Sequence, residues 1–87
     1  MDIEELISIV TLKKINDNKF EGQNYRTVWG RIFGGQVLSQ SLHAAYQTVP
    51  EDRLAHSMHG YFILPGDLNE PVTYEVDKIR NGGSFTT

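Results

Sequence analysis

The feature that most constrains the fold of this chain is a change of hydrophobic period at Pro50. In residues 34–49, apolar side chains recur at the three- and four-residue spacing of a helix. In residues 54–64 and again in residues 72–76, apolar and polar side chains alternate as they do in a β-strand. One helix followed by long strands with short turns between them predicts an α+β fold, in which an antiparallel sheet wraps around the helix.

The predicted helix of residues 34–49 has about four turns. Its apolar stripe comprises Leu38, Leu42, Ala45 and Val49. Its other sides carry Gln36, Gln40, His43 and Gln47. Because small residues keep the helix slim, we expect its apolar stripe to lie close against the sheet, and Pro50 to end it.

Two strands and the start of a third are predicted after this helix. The first covers residues 54–64, and its apolar face comprises Leu54, His56, Met58, Phe62 and Leu64. The second alternates Val72, Tyr74 and Val76 with polar residues. A turn at Asn81-Gly82-Gly83 leads to residues 84–87, which have the pattern of a third strand. A sheet of so few strands has open edges, so we expect further strands from the continuation of the chain or from another chain.

The first part of the chain predicts a short helix, followed by either a hairpin or a strand with a kink. Asp2 can cap a helix in which Ile3, Leu6 and Val10 share one side. Two short extended runs, residues 12–15 and 19–21, flank a turn signal at residues 16–18. Residues 23–31 have no clean period and predict a loop.

Composition limits the classes of function. The 87 residues form one domain at most, with a net charge of −3 and scattered basic residues, which disfavours nucleic-acid binding. The absence of cysteine excludes disulfides and thiolate chemistry. No apolar run reaches the roughly 18 residues that span a bilayer, and the acidic start is unlike a secretory leader. We therefore expect a soluble protein of the cytosol or of an organelle lumen, with no membrane partner.

Gly34-Gly35 stands directly before the predicted helix, where free backbone N–H groups can hold an anionic oxygen or a thioester carbonyl. The alternative is that the two glycines only let the loop turn sharply into the helix. Gln36 lies in the first turn of the same helix, and His56 lies on the apolar face of the strand that we expect to meet it. A hydrogen-bonded core histidine is the alternative for His56.

The run Arg80-Asn81-Gly82-Gly83-Ser84 places a cation, flexible backbone and a hydroxyl group on one turn, which suits a phosphate or an amide. A hairpin turn with a solvated arginine is the alternative. No Ser-His-Asp set can be assembled, because Ser57 and His56 lie on opposite sides of the pleat. His56 and His59 also point to opposite faces, so we predict no metal site.

Four blocks of the sequence together resemble the acyl-CoA thioesterase II family, of the TesB type. They are Phe20-Glu21-Gly22-Gln23, Phe33-Gly34-Gly35-Gln36-Val37, the run from His56-Ser57-Met58-His59 to Pro65-Gly66-Asp67, and the run from Arg80 to Phe85. Their order and spacing are similar to that family's F-x-G-x, R-x-F-G-G-Q, H-S-x-H-x-Y-F-x-x-P-G-D and R-x-G-x-S-F motifs. The resemblance covers most of the chain.

The resemblance implies a double hotdog enzyme that hydrolyses fatty acyl-CoA to a free fatty acid and CoA, without a cofactor. It identifies residues 1–87 as part of the N-terminal hotdog domain, lacking that domain's final strands and the second hotdog. The family's catalytic Asp, Thr or Ser, and Gln lie on the second hotdog, and the predicted helix here contains no carboxylate. The resemblance therefore assigns no catalytic residue to this chain.

The substrate-binding residues that we predict are Gly34, Gly35, Gln36, His56, Arg80, Gly82, Gly83 and Ser84. A non-catalytic acyl-CoA-binding or assembly module is the alternative function, since binding surface can remain where the base is absent. We expect a homo-oligomer that associates through the edges of the hotdog sheets. The family implies a cytoplasmic location, with the peroxisome as the alternative.

Overall fold

A computed structural model describes residues 2–87. The elements in chain order are α1 (Ile3–Val10), β1 (Lys13–Asn16), β2 (Lys19–Gly22), α2 (Gly34–Tyr46) and β3 (Val72–Glu75). One face of a three-stranded antiparallel sheet packs against α2, which confirms the predicted α+β fold. None of the helices in the described residues is long and apolar enough to cross a membrane.

The sheet has the strand order β1-β2-β3, with every neighbouring pair antiparallel. A tight turn joins β1 and β2, because the side-chain oxygen of Asn16 accepts a hydrogen bond from the N–H of Asn18 at 2.9 Å. Phe20 of β2 lies opposite Tyr74 of β3. The predicted hairpin in the first part of the chain is therefore confirmed, and its middle strand carries the sheet's core residue.

The first helix begins where the sequence predicts. The Asp2 side chain accepts a hydrogen bond from the N–H of Glu5 at 2.8 Å, which satisfies one of the free donors of the first turn. Glu4 and Glu5 place negative charge at the positive end of the helix dipole. At the other end of the helix, Ile9 is buried and its carbonyl turns toward α2.

The core is small and centres on Phe20, which is 1% exposed. Ala44 of α2 and Tyr74 of β3 are buried against it. Full burial of a phenylalanine side chain contributes about 2 to 3 kcal/mol. Because Ala44 has no more than a methyl group, the helix approaches the sheet closely at this point.

The predicted orientation of α2 is wrong. Its buried residues are Gln36, Gln40 and Ala44, whereas Leu38 is 36% exposed and Ala45 is also exposed. Hydrogen bonds described below satisfy both glutamines, and this removes the usual penalty for burying an amide. The helix also ends at Tyr46, three residues before the predicted end.

The strand predicted for residues 54–64 is not formed. This segment instead runs antiparallel to α2, with the N–H of Ala55 donating to the hydroxyl of Tyr46 at 2.8 Å. Farther along, the ring of Phe62 lies beside Gly34. A strand needs a neighbour for its N–H and C=O groups, and in residues 2–87 its neighbour is a helix whose own groups are already bonded. The outward residues Tyr61 and Ile63 are 92% and 85% exposed.

The predicted third strand is also shorter than expected. Residues 84–87 form a hairpin with residues 80–83, and a single bridge joins Asn81 to Thr86. β3 ends at Glu75, one residue before the predicted Val76, although the N–H of Val76 still donates to the carbonyl of Asn18 at 2.8 Å. The sheet therefore extends neither to Val76 nor to residues 84–87.

Candidate binding cleft and buried amide network

Gln40 is the centre of a buried polar network and is 0% exposed. Its Nε2 donates to the carbonyl oxygens of Ile9 and Gln23, both at 2.7 Å. Its Oε1 accepts from the hydroxyl of Tyr74 at 2.6 Å. One side chain therefore joins α1, the end of β2 and β3 to α2, and no polar atom of the Gln40 amide is left unsatisfied.

Gln36, one turn earlier on α2, is 3% exposed and extends the network. Its Nε2 donates to the side-chain oxygen of Asn24 at 2.9 Å and lies 3.3 Å from the Oε1 of Gln40. Its Oε1 accepts from the N–H of Tyr25 at 2.8 Å. Both polar atoms of this predicted substrate-binding side chain are thus engaged inside the protein.

Asn24 connects the network to the loop before β3. Its Nδ2 donates to the carbonyl of Glu70 at 2.6 Å and to that of Leu68 at 3.2 Å. The network therefore reaches across the chain from α1 to the turn at residues 67–70. Sequence reasoning missed Asn24 and the role of Gln40, although two glutamines one helical turn apart in a slim helix were a usable signal.

The N-terminus of α2 carries the predicted Gly34-Gly35 pair. The N–H groups of Gln36 and Val37 donate to the carbonyl of Phe33, whereas those of Gly34 and Gly35 donate no hydrogen bond within residues 2–87. A Cβ on Gly35 would lie 2.5 Å from the ring of Phe33. The close approach of this ring requires glycine there, and the two free donors remain available.

A cleft of about 760 Å³ opens beside the other half of α2. Its apolar wall includes Leu42, Ala45, Val49, Met58 and Phe85. Three of the predicted binding residues, His56, Arg80 and Ser84, line the same cleft. The cleft therefore combines an apolar wall with polar and charged groups.

The sequence predicted that His56 would point into the core. In the structure His56 is exposed. Its ring meets the ring of Phe85 edge-on, with centroids 5.8 Å apart and an interplanar angle of 76°. The prediction failed because residues 54–64 do not form the strand that would have turned His56 toward the helix. His56 instead lies on one wall of the cleft, and its ring contacts Phe85 on the opposite wall.

The hairpin of residues 80–87 forms that opposite wall. Arg80 and Thr87 exchange two backbone hydrogen bonds, at 2.7 and 3.2 Å, and the N–H of Gly82 donates to the carbonyl of Phe85 at 2.8 Å. A Cβ on Gly82 would lie 3.0 Å from that carbonyl oxygen and 3.4 Å from the Nε of Arg80. The missing side chain of Gly82 leaves the room in which Arg80 lies over the turn.

Arg53 is a cleft residue that sequence reasoning missed. Its Nη2 donates to the carbonyl oxygens of Gly82 and Gly83, at 2.8 and 2.7 Å. Lys78, also on the cleft, donates to the carbonyl of Thr48 at 3.2 Å. The sequence gives no signal for this contact, because Arg53 and Gly82 are 29 residues apart in the chain.

The polar part of the cleft carries charges of both signs: its lining includes the cations Arg53, Lys78 and Arg80 and the carboxylates Asp52 and Asp77. The ion pairs of the described residues are Lys14 with Asp17 and Lys19 with Glu75, both on the sheet side of the molecule. None of the cleft cations Arg53, Lys78 and Arg80 is within ion-pair distance of a carboxylate in residues 2–87. In the same part of the chain, no cluster of three or more potential metal ligands occurs.

The eight predicted binding residues do not form one site. Gly34, Gly35 and Gln36 lie at the start of α2, whereas His56, Arg80 and Ser84 lie around the cleft beside its end. The 13 residues of the helix separate these groups by about 18 Å. Gly82 and Gly83 belong to the second group, through the carbonyl oxygens that Arg53 holds.

Comparison with known proteins identifies relatives of this chain. The acyl-CoA thioesterase N-terminal domain family matches residues 25–87, which is more than half of the chain. Acyl-CoA thioesterase 2 of Haemophilus influenzae is 43% identical over 84 residues, which covers 97% of this chain and 29% of that protein. The peroxisomal acyl-coenzyme A thioester hydrolase 1 of Saccharomyces cerevisiae is 47% identical over 53 residues, covering 61% of this chain and 15% of that protein.

A solved structure, the tesB protein of Mycobacterium avium subs paratuberculosis, has the same fold with a TM-score of 0.91. The two are 32% identical, and the match covers 98% of this chain and 34% of that one. This chain thus spans about a third or less of the relatives that it matches. It belongs to the acyl-CoA thioesterase N-terminal domain family, and its α+β fold is an incomplete hotdog.

Proposed function

We propose that this chain is the N-terminal hotdog part of an enzyme that hydrolyses fatty acyl-CoA to a free fatty acid and CoA. The names of its relatives, acyl-CoA thioesterase and thioester hydrolase, support the reaction class. The observation that carries the proposal for this chain is the cleft of about 760 Å³ beside α2. Its part in the enzyme is to bind substrate rather than to perform the chemistry.

The chemistry of the cleft fits the two ends of an acyl-CoA. CoA is polyanionic, and unpaired cations such as Arg80 attract phosphate groups. Ser84, which lines the cleft, offers a hydroxyl group for the amides of pantetheine. The apolar wall suits the beginning of an acyl chain, and His56 lines the same cleft.

Hydrolysis itself needs more than these groups. A water molecule must attack the thioester carbonyl, a base must take its proton, and donors must stabilise the oxyanion. The free N–H groups of Gly34 and Gly35 are suitable donors, but α2 carries no carboxylate beside them. We therefore expect the isolated chain to release thiol no faster than the uncatalysed reaction.

The missing acid also supports the second function, a non-catalytic acyl-CoA-binding or assembly module. Both functions predict binding of CoA by the isolated chain. They differ for the whole protein, in which the enzyme requires catalytic residues outside residues 1–87. A cytoplasmic location agrees with the bacterial relative, and the yeast relative's name supports the peroxisomal alternative.

We also propose self-association through open sheet edges. In the part of the chain that the structure describes, the outer strands β1 and β3 each pair with β2 alone, and residues 56–66 donate no backbone hydrogen bond. Such an edge is a template for another strand. Sedimentation velocity over a range of concentrations tests this, and a species that stays monomeric at every concentration contradicts it.

Thiol release and CoA binding test the proposed function together. Because the chain has no cysteine, a thiol reagent reports only the CoA that is released from acyl-CoA. Calorimetry should detect CoA binding that Arg80→Gln weakens by about tenfold, as expected for a charge-assisted contact. Arg26→Gln, an exposed arginine outside the cleft, is the matched control and should bind like the parent chain. Turnover of about 1 per second or faster by the isolated chain would place the catalytic site in this half.

A further inference from the structure

We propose that Arg53 is a positioning residue for CoA binding, which fixes the Gly82-Gly83 turn and thereby holds Arg80 at the cleft. The inference rests on the proposed function, because it assumes that Arg80 contacts a phosphate of CoA. It adds a residue that none of the sequence motifs contains. Arg53 would act on the ligand through the turn and not by touching the ligand itself.

The contact between Arg53 and the turn is well built. Arg53 follows α2 in a short turn, where its N–H donates to the carbonyl of Pro50 at 3.1 Å. From there its Nη2 donates to two successive carbonyl oxygens, those of Gly82 and Gly83, at 2.8 and 2.7 Å. Hydrogen bonds from a guanidinium are stronger than neutral ones. Two carbonyl oxygens held by one nitrogen fix both peptide planes of the turn.

Arg80 depends on this turn for its position. The N–H and carbonyl groups of Arg80 pair with Thr87, and the N–H of Gly82 pairs with Phe85, so the hairpin encloses the two carbonyls that Arg53 holds. The Arg80 side chain crosses the turn where Gly82 leaves it room. Arg80 is exposed and has no carboxylate partner in residues 2–87, so its side chain could leave the cleft if the turn lost its hydrogen bonds to Arg53.

A double-mutant cycle on the 87-residue chain tests the inference. The affinity for CoA is measured by calorimetry for the parent, Arg53→Gln, Arg80→Gln and the double variant. We expect Arg53→Gln to weaken binding by about fivefold to tenfold. In the Arg80→Gln background the same substitution should change the affinity less than twofold, because a residue that acts through Arg80 has nothing left to position.

Arg53→Lys provides a second variant and a spectroscopic reading. Lysine keeps the charge, but its ammonium group lacks the rigid fork of the guanidinium, so we expect weakened CoA binding without a change of net charge. The amide NMR signals of Gly82, Gly83 and Phe85 should shift in both Arg53 variants, while those of the Gln40 network stay in place. If Arg53→Gln does not fold, the cycle is carried out with Arg53→Lys.

The outcomes separate the inference from the function on which it rests. A parent chain that does not bind CoA refutes the proposed function. If the parent binds and the two substitutions are additive, Arg53 contacts the ligand directly and the positioning role is wrong. If Arg53 variants lose stability but bind CoA like the parent, Arg53 is only structural and the positioning role is also wrong.

Discussion

The two sides of α2 differ in the polarity of their side chains and in how completely these side chains are buried. The side that faces the sheet buries two glutamines, Gln36 and Gln40, in a network without a free polar atom. The side that faces residues 54–64 and the cleft carries Leu38 and Leu42, which are only partly buried. An amphipathic helix normally has the opposite arrangement.

This difference teaches that satisfied hydrogen bonds can outweigh the hydrophobic pattern. The glutamine side is closed because three segments of the chain, α1, residues 23–25 and β3, supply partners for it, and a fully connected polar network specifies one arrangement. The apolar side is more open because residues 54–64, which lie along it, leave Leu38 36% exposed. We associate the closed side with stability and the open side with binding, and four substitutions test that division.

The largest effect is expected for Gln40→Leu. Leucine has nearly the same volume, but it leaves the carbonyls of Ile9 and Gln23 and the hydroxyl of Tyr74 without their partner in the core. Each unsatisfied buried group costs about 1 to 3 kcal/mol, so we expect the free energy of unfolding to fall by about 4 kcal/mol. Urea denaturation followed by circular dichroism measures it.

Gln47→Leu is the control, because this exposed glutamine lies near the end of the same helix. It should change the free energy of unfolding by less than about 0.5 kcal/mol. Equal effects of the two substitutions would show that the network does not stabilise the fold, and the division between the two sides would fail.

High pH should lower the free energy of unfolding, because Tyr74 on the closed side loses its proton. Burial raises the pKa of its phenol from 10.0 to about 12. Because the folded state keeps a proton that the unfolded chain releases, this contribution is complete below pH 10 and is lost as the pH rises from 10 to 12. The loss is about 2 to 3 kcal/mol.

Tyr74→Phe should remove this part of the pH dependence, whereas Tyr61→Phe, at an exposed tyrosine, should retain it. The comparison among variants cancels the contribution of every other group, because the variants share them. A decline of the same size in Tyr74→Phe would assign the high-pH instability to other groups. Unfolding curves at pH 9, 11 and 12 are sufficient.

A smaller effect, about 2 kcal/mol, is expected for Gly22→Ala. A Cβ at this position would lie 2.5 Å from the Oε1 of Gln40, whose amide is held by hydrogen bonds and cannot easily move. In a Gln40→Ala background the added methyl group has room, so its cost should largely disappear. Gly83→Ala, where nothing lies within 4 Å, is the control on the open side and should be nearly neutral.

The sequence predicted the local elements of this fold better than their environment. Asp2 marked the first helix, the Asn16-Asp17-Asn18 turn marked the hairpin, and the period of residues 34–49 marked α2. These features depend on residues that are close together in the chain. The burial of Gln40, in contrast, depends on carbonyls 17 and 31 residues away, and the hydrophobic pattern does not indicate them.

The candidate site shows the same limit. The alternation in residues 54–64 predicted a strand, but a strand also needs a neighbouring strand, and none lies beside it in residues 2–87. His56 therefore reached the cleft and not the core. Arg80 and Ser84 were found because they belong to one short motif, whereas Arg53 was missed because its contact joins distant segments.

The smallest effect on stability is expected for Ile63→Ser on the open side. Ile63 is 85% exposed, so replacing it removes little buried apolar surface, and the free energy of unfolding should change by less than about 0.5 kcal/mol. The same substitution at Ile9, which is 8% exposed, should cost several times more and serves as the matched comparison. If both substitutions destabilise equally, residues 54–64 are covered in solution. Sedimentation velocity then distinguishes a second copy of the chain from a closed monomer, because only association makes the loss depend on protein concentration.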